Sequence, residues 1–396
     1  MILAGRRVLL GVTGGIASYK ACTLARRLAE AGTAVDVVLT AAAAEFVRPL
    51  TFEALTGRAV LTSLWTPGRA LDHIALARDP DLVVLAPATA NLLARAAAGI
   101  ADDVLTAILL AREGPVLAAP AMNDAMYAHP ATQANLETLR GRGWRFVGPD
   151  VGPLAEGPSE RPGRMAEPEA IFAAAVRALR GDASVLRGRR VLVTAGPTRE
   201  HLDPIRVVTN ISSGRMGFAL AADAYARGAE VVLLAGPTAL EPPTGVRIER
   251  VESTADLAAA VARHLPEADV LLMAAAPADY RPDTPAVAKR SRKDGTLPVT
   301  LVPTEDVLET TRPLRKPGAV LVGFAYETED GLVKARAKRE RKGLDLVVLN
   351  LAEPGAGAEV NTNRVTLVSA EGETPGPLES KQAAAARILD AVETLL

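Results

Sequence analysis

Several segments of this chain put glycine, hydroxyl and carboxamide groups where an apolar run gives way to a helical pattern. The first is Thr13-Gly14-Gly15-Ile16-Ala17-Ser18, directly after Val8 to Val12. Free N–H groups and the dipole at such a helix start favour a phosphate, although a tight turn without ligand reads the same way. The glycines do not follow Gly-x-Gly-x-x-Gly, so a mononucleotide fits better than a dinucleotide. Two more loops, Ala86-Pro87-Ala88-Thr89-Ala90-Asn91 and Ala119-Pro120-Ala121-Met122-Asn123-Asp124-Ala125-Met126, follow strand-like runs. They fall on the carboxyl edge of the sheet, where doubly wound folds bind ligands. Asn123 can both donate and accept. Met122 and Met126 read equally as pocket wall or core filler, and His73, taken alone, as a structural or solvated histidine.

The second half repeats the theme with other residues. Ala195-Gly196-Pro197-Thr198-Arg199-Glu200 follows a strand, and Thr209-Asn210-Ile211-Ser212-Ser213-Gly214-Arg215-Met216-Gly217 opens a helix. A Ser-Ser-Gly start is either a phosphate cradle or simple capping by Ser212 or Ser213. Ala274-Ala275-Ala276-Pro277-Ala278-Asp279 ends a strand in a carboxylate, suited to Mg²⁺ on phosphate oxygens or to a nucleotide base or ribose. Lys334, Lys338 and Lys342, three of only eight lysines, fall at i, i+4 and i+8. Like charges on one helical face repel, so this face is either solvated or holds an anion. Lys289 and Lys293 add a basic loop, and polyphosphate is the natural common ligand.

Two sets of elements must position these groups. Val8 to Val12, a helical pattern to Gly32, and Val35 to Leu39 form a βαβ unit, and the runs Leu82 to Ala86 and Val116 to Ala119 extend it into a parallel sheet covered by helices. A long Pro- and Gly-rich loop between Pro149 and Pro168, then a helix near Ala170 to Leu179, close this half. From Arg189 the pattern restarts. Strands are expected at Val191 to Thr194, Val231 to Leu234, Val270 to Met273, Val320 to Phe324 and Leu346 to Leu349, with a helix from about Arg215, making a second parallel sheet. The fold class is α/β, two doubly wound Rossmann-like three-layer domains, 1–186 and 187–396.

Composition removes several function classes. At 396 residues the chain exceeds what one core usually organises. Lys+Arg of 45 against Asp+Glu of 46 leaves no global field for nucleic acid or an anionic membrane. No signal peptide precedes Val8 and no apolar run nears membrane-spanning length, so a soluble cytoplasmic protein is expected. Cys22 is the only cysteine, which excludes an internal disulfide and a multi-cysteine metal site.

In the first half, Gly11 to Lys20, the His73 segment, Ala86 to Asn91, Ala101-Asp102-Asp103 and Pro120 to Asn123 together resemble the homo-oligomeric flavin-containing cysteine decarboxylases. The resemblance implies a flavodoxin-like domain binding FMN through Gly14, Gly15, Ile16 and Ser18, through Thr40, and through Pro87, Ala88, Thr89 and Asn91. The implied chemistry is redox-neutral: flavin oxidises the thiol-bearing carbon of the cysteine moiety, carbon dioxide leaves, and the enethiolate is reprotonated and reduced. His73 would be the acid/base residue and Asn123 would hold the carboxylate. Met122, Met126, Arg164 and Met165 would contact substrate, the last two from a clamp loop over 149–168. The family loop carries a proton-donating cysteine before Gly-Arg-Met. Here Glu156 stands in its place within Leu154 to Met165. A carboxylic acid in a dry pocket can donate a proton, so Glu156, or less directly Glu160, could substitute. The alternative is a first domain that stops at the oxidised enethiol, or serves only as a flavin-binding regulatory module.

Residues 189 to 390 resemble the phosphopantothenate-cysteine ligases. The matching segments are Thr194 to Glu200, Asn210 to Gly217, Ala274 to Asp279, Glu305-Asp306-Val307-Leu308, Val322 to Thr328 and the lysine helix. The fused order is similar to the bacterial bifunctional enzyme of coenzyme A biosynthesis. That resemblance implies activation of 4'-phosphopantothenate by CTP with Mg²⁺ as an acyl-cytidylate, then attack by the L-cysteine amine, before the decarboxylase converts phosphopantothenoylcysteine to 4'-phosphopantetheine. Asn210 would hold the intermediate and Lys289 would neutralise charge. Arg206, Ser212, Ser213, Gly214, Ala275 and Ala276 would bind substrates. Asp279, which would also hold the metal, Glu305 to Leu308, Phe324, Lys338 and Lys342 would line the CTP site. The family's lysine loop is only partly kept: Lys289 aligns with its first lysine, and Ser291 and Arg292 stand at later ones. The family also implies a homo-oligomer with FMN sites between subunits. A two-domain dehydrogenase is the generic rival, opposed by the missing glycine fingerprint.

Overall fold

The computed structural model describes residues 3–65, 68, 71–181, 184–289, 291, 295–351, 357 and 360–396. Contacts divide the chain into two compact units, Met1–Leu179 and Arg180–Leu396. No helix among the described residues is long and apolar enough to cross a membrane.

The first unit is built on a five-stranded parallel sheet in the spatial order Ala34–Leu39, Arg7–Val12, Leu82–Ala88, Val116–Pro120, Arg145–Phe146. Taken in chain order this is 2-1-3-4-5, the flavodoxin-like arrangement, whose crevice lies where the order reverses between the first and third strands. The central strands are continuous apolar runs because helices cover both faces: every residue of Leu82–Ala88 is buried. The helix Ser18–Glu30 buries Lys20, Ala21, Leu24, Ala25 and Leu28, a stripe of i, i+4 spacing. The Pro- and Gly-rich stretch is not shapeless. Asp150–Val151 and Pro162–Arg164 pair as an antiparallel ribbon, and the helix behind it runs Pro168–Arg180.

The second unit has an eight-stranded sheet in the order Arg247–Arg250, Glu230–Ala235, Arg190–Ala195, Val270–Met273, Val320–Glu327, Leu346–Leu351, Thr362–Val368, Glu373–Ser380. The first six are parallel in the 3-2-1-4-5-6 order of a Rossmann fold. The expectation of a purely parallel sheet is corrected by the last two strands, which are antiparallel. Only ten residues separate Leu351 from Thr362, too few for a crossover helix, so the chain returns in the opposite direction. Two cores cover the sheet. One joins Val348, Val365 and Leu367 to the helices Arg215–Ala226 and Lys381–Glu393, and the other takes in Ala335 of the helix Gly331–Lys342.

Candidate active sites

The first unit contains a cavity of about 960 Å³ at the carboxyl ends of its first, third and fourth strands. The loops around it are stitched together. The Thr13 hydroxyl donates to the Pro87 carbonyl at 2.7 Å and accepts from the Thr89 N–H at 3.3 Å. The Ala121 N–H reaches the Ala88 carbonyl at 3.1 Å, and the Met122 N–H reaches Gly163 of the ribbon at 3.0 Å. Thr40 and Thr89 each cap a helix start with their side chains. Gly14 must be a glycine, because a Cβ there would lie 2.4 Å from Ala42 Cβ.

Of the residues expected to contact ligand, Gly14, Gly15, Ile16, Thr40, Thr89, Asn91, Met122, Asn123, Met126, Glu156, Arg164 and Met165 all line this one cavity. Ser18 does not. It is fully buried, with its hydroxyl 2.9 Å from the Thr13 carbonyl and 2.6 Å from that of Gly15, so it shapes the loop from behind. Pro87 and Ala88 are likewise buried strand ends behind the wall. His73 sits on the helix Asp72–Arg78, outside the cavity, with Nδ1 buried and without a partner among the described residues.

Asn123 is the N-cap of the helix Asp124–Ala128, its Oδ1 accepting from the N–H groups of Ala125 at 2.8 Å and Met126 at 3.2 Å. That leaves its NH₂ as the free end of the side chain, and this group donates to the Glu156 carboxylate. Glu156 and Glu160 are exposed, so the dry surroundings expected around a donor carboxyl are not supplied by the described residues of this unit. Among the wall residues that were missed are two cations, Lys20 and Arg95. Lys20 is buried and pairs with Glu167 at 2.9 Å, where Arg164 also meets Glu167. Arg95 is held by Asp102 and Asp103. Lys20 was detectable as a lysine on the apolar stripe that also carries Leu24 and Leu28. Burial works to raise the Asp103 carboxyl, but the Thr106 N–H and Arg95 prevail and hold it below the usual aspartate value.

A second cavity, about 740 Å³, occupies the switch point of the second sheet. Its two facing loops are also tied to each other. The hydroxyl of Thr194 accepts from the Ala275 N–H at 3.0 Å, and that of Thr198 from the Ala278 N–H at 2.8 Å. The Asn210 amide donates to the Pro277 carbonyl at 2.8 Å. Gly217 lets the helix Arg215–Ala226 approach the strand, since a Cβ would fall 2.4 Å from Ala195 Cβ.

Asn210, Ser212, Gly214, Ala275, Ala276, Asp279, Glu305, Asp306, Val307, Leu308, Phe324, Lys338 and Lys342 line this cavity together. Ser213 and Arg206 are not in its wall. The Ser213 carbonyl accepts from the Thr238 hydroxyl at 3.0 Å, and Arg206 pairs with Asp203 on the ribbon Arg199–Asp203 and Arg206–Thr209. Lys289 is exposed and also outside the wall, while Arg292 and Lys293 lie outside the described residues. The three lysines of the helix Gly331–Lys342 each have an acceptor: Lys334 reaches Glu327 at 3.1 Å, Lys338 the Phe324 carbonyl at 2.5 Å and Lys342 Asp306 at 2.5 Å. Burial, then the charge of Lys342, pushes the Lys338 ammonium below its ordinary value. Burial works to raise Asp306, but its hydrogen bond from Lys342 prevails and lowers it. Sequence reasoning missed Asn350, Asn363 and Lys381, which complete the far wall. Among the described residues no three His, Cys, Asp or Glu side chains form a ready-made metal cage.

Comparison with known proteins adds to this geometry. Residues 3–180 match the family model described as Flavoprotein, and residues 186–396 match the DNA/pantothenate metabolism flavoprotein C-terminal domain. The coenzyme A biosynthesis bifunctional protein CoaBC of Vibrio cholerae is 45% identical over 392 residues, covering 98% of each chain. That of Mycobacterium tuberculosis is 47% identical over 407 residues, covering 99% of this chain and 97% of the relative. A crystal structure of the C-terminal domain of such a protein is 38% identical, with a TM-score of 0.46 over 54% of this chain and 98% of its own. With two cavities on two domains and relatives matched from end to end, the chain belongs to the bifunctional coenzyme A biosynthesis proteins, a ligase and a decarboxylase on one polypeptide.

Proposed function

We propose that the second unit joins 4'-phosphopantothenate to L-cysteine using CTP, through an acyl-cytidylate, and that the first unit decarboxylates phosphopantothenoylcysteine to 4'-phosphopantetheine with FMN. The observation that carries this reading is that each cavity lies at the switch point of its sheet and gathers, from loops far apart in sequence, most of the residues expected to contact its ligand.

The first cavity fits a flavin mononucleotide. The Gly14 loop, which the missing Cβ lets pack against Ala42, the start of the helix Ser18–Glu30, and the Thr40, Thr89 and Asn91 side chains would hold its phosphate and ribityl oxygens. When bound, the flavin supplies reversible hydride transfer at the thiol-bearing carbon. The protein's part is to orient and to move protons. Asn123, with its oxygen fixed by two backbone N–H groups, offers only its NH₂, which suits a substrate carboxylate. Met122, Met126 and Met165 wall the site, and Glu156 would reach it from the loop between the ribbon strands to return a proton. His73 is outside the cavity of its own unit, so an acid/base role for it needs a second copy to present it. This favours a homo-oligomer with shared flavin sites.

In the second cavity the N-terminus of the helix Arg215–Ala226, with Ser212 and Gly214, would receive phosphates. Lys338, Lys342, Phe324 and residues 305–308 would hold the nucleotide. Mg²⁺ would sit between its phosphates and Asp279, since this ion is commonly bound by one or two carboxylates plus phosphates rather than by a protein cage. Asn210 would hold the acyl group, and Lys289 would approach from its loop as charge develops. Incubation with 4'-phosphopantothenate, L-cysteine, CTP and Mg²⁺, followed by product mass, tests both halves. Phosphopantetheine with released pyrophosphate and carbon dioxide is expected. A product two hydrogens lighter removes Glu156 from the mechanism, and the absence of carbon dioxide rejects the decarboxylase step.

A further inference from the structure

The second cavity extends past the groups assigned to the nucleotide. Lys338 and Lys342 belong to a helix on one side of the sheet, whereas Asn350, Asn363 and Lys381 line the cavity from the other side. Asn350 stands opposite Val365 in the antiparallel pair, and Asn363 is two residues from Val365. Side chains alternate along a strand, so Asn350, Val365 and Asn363 project from the same face. That face also carries the helix Lys381–Glu393, whose first residue follows the last strand directly. The Lys381 N–H reaches the Asn361 carbonyl at 3.0 Å, which fixes the helix start beside Asn363.

Two polar atoms at this end require a partner. Asn350 is 9% exposed and Asn363 4%, and the side-chain oxygen of each lacks a hydrogen-bond partner among the described residues. A buried acceptor is costly to leave unsatisfied, so such pairs mark a place where a ligand brings donors. Phosphates and carboxylates bring none. Lys381, 4% exposed, and Arg215 at the start of the facing helix line the same end. Buried acceptors beside cations are complementary to a zwitterion: an ammonium for the first, a carboxylate for the second. Val365 adds an apolar wall suited to a short side chain. Burial, then the charge of Arg215, pushes the Lys381 ammonium down to about 8, and an anion received between the two cations would relieve that repulsion.

We propose that Asn350, Asn363, Lys381 and Arg215 form the subsite for the free amino acid, with the two carboxamide oxygens holding its amino group and the two cations its carboxylate. This rests on the ligase reading and supplies the one reactant that reading leaves unplaced. From here the uncharged amine attacks the acyl carbon. The amide C–N bond forms, the C–O bond to the cytidylate phosphate breaks, and CMP leaves with its electron pair, the original ammonium shedding two protons overall.

The test uses the full-length protein with CTP, 4'-phosphopantothenate and either cysteine or cysteamine, which lacks the carboxylate. Asn363→Leu should raise KM for both amines at least about tenfold while KM for CTP moves less than about twofold, the loss of a hydrogen bond to a charged group. Asn363→Asp, which keeps an acceptor, should hold the cysteine KM within about threefold of wild type and guards against misfolding as the cause. Lys381→Met should raise the cysteine KM about tenfold and spare cysteamine, as loss of a carboxylate partner requires. An unmoved cysteine KM, or a KM that rises for CTP or phosphopantothenate instead, overturns the subsite. A wild-type chain that releases no pyrophosphate from CTP overturns the ligase reading itself, and the subsite with it.

Discussion

The amide of Asn123 donates to the carboxylate of Glu156, joining the helix start that follows the fourth strand of the first sheet to the ribbon-bearing loop that follows the fifth. Because the Asn123 oxygen is occupied by the N–H groups of Ala125 and Met126, this donor is the only part of its side chain left to meet a ligand. Glu156 therefore stands where the proposed substrate carboxylate would be received, in the wall of the same cavity. Removing its acid function while keeping its shape should separate oxidation from the final reduction. Glu156→Gln is expected to slow formation of phosphopantetheine by about a hundredfold or more, the usual share of a general acid. A product two hydrogens lighter and bleached flavin should build up instead. Glu156→Cys should restore the full product. Unchanged product mass and rate in Glu156→Gln would exclude Glu156 as the donor.

Asn123→Asp probes the same relationship from the other side. Aspartate still caps the helix Asp124–Ala128, so the fold and flavin content should survive. It offers no N–H, however, and sets a negative charge against the substrate carboxylate. Decarboxylation should fall by at least about a hundredfold through lost binding and added repulsion, with pyrophosphate release by the second unit serving as the internal control. Carbon dioxide release at the wild-type rate would remove Asn123 from the carboxylate site.

Gly14→Ala tests the flavin floor. The added methyl would lie 2.4 Å from Ala42 Cβ and 2.8 Å from the Ala42 carbonyl oxygen, so one of these two cavity-lining loops must shift. Overpacking of this kind costs about 1–3 kcal/mol. The variant should purify with little or no flavin, as read by absorbance near the flavin bands, and retain ligation. A fully yellow Gly14→Ala protein would show that this loop does not contact the flavin.

Much of this architecture was legible because parallel strands buried on both faces appear as unbroken apolar runs; Val270–Met273 was bounded correctly from sequence alone. The last strand, Glu373–Ser380, was not, since Pro375, Gly376 and Pro377 argue against a strand. It is an edge strand, where a missing N–H is tolerated. The loops of both sites were readable because they follow strand ends directly. Asn350, Asn363 and Lys381 were not, because each belongs to a site only through a pairing between distant segments. Their local signal is a polar residue where burial is due: Asn350 after Leu346 to Leu349, Asn363 in phase with Val365 and Leu367, and Lys381 on a stripe with Ala385 and Ile388.

Lys342→Met tests the nucleotide half of the second cavity. Its removal leaves Asp306, the cap of the helix Val307–Thr311, without its 2.5 Å partner and takes a cation from the cavity wall. KM for CTP should rise about tenfold or more, in line with loss of one charge-assisted contact, while KM for cysteine changes little. Asp306→Asn should give a smaller effect, since asparagine can still cap the helix. Equal effects on every substrate would indicate general disruption instead of a nucleotide contact.

The acid side of the pH profile should depend on Glu167. Its hydrogen bond from Lys20 holds the carboxyl below the ordinary glutamate value of 4.5, burial opposes this, and the charges of Lys20 and Arg164 reinforce it. A carboxyl with a lowered folded value contributes stability that is fully present above the unfolded value and fades as pH falls through the folded one. Glu167→Gln should therefore lower the melting temperature of the first unit by a constant amount at neutral and mildly acidic pH. The gap to wild type should close only below 4.5, together with release of flavin, because Lys20 lines the flavin cavity. Side-chain exposure of 44% at Glu167 keeps the effect small through solvent screening. Melting curves followed by flavin fluorescence from neutral pH down to the acid limit measure it. A gap that persists unchanged in acid would mean that the Lys20 pair contributes nothing through the charge of Glu167.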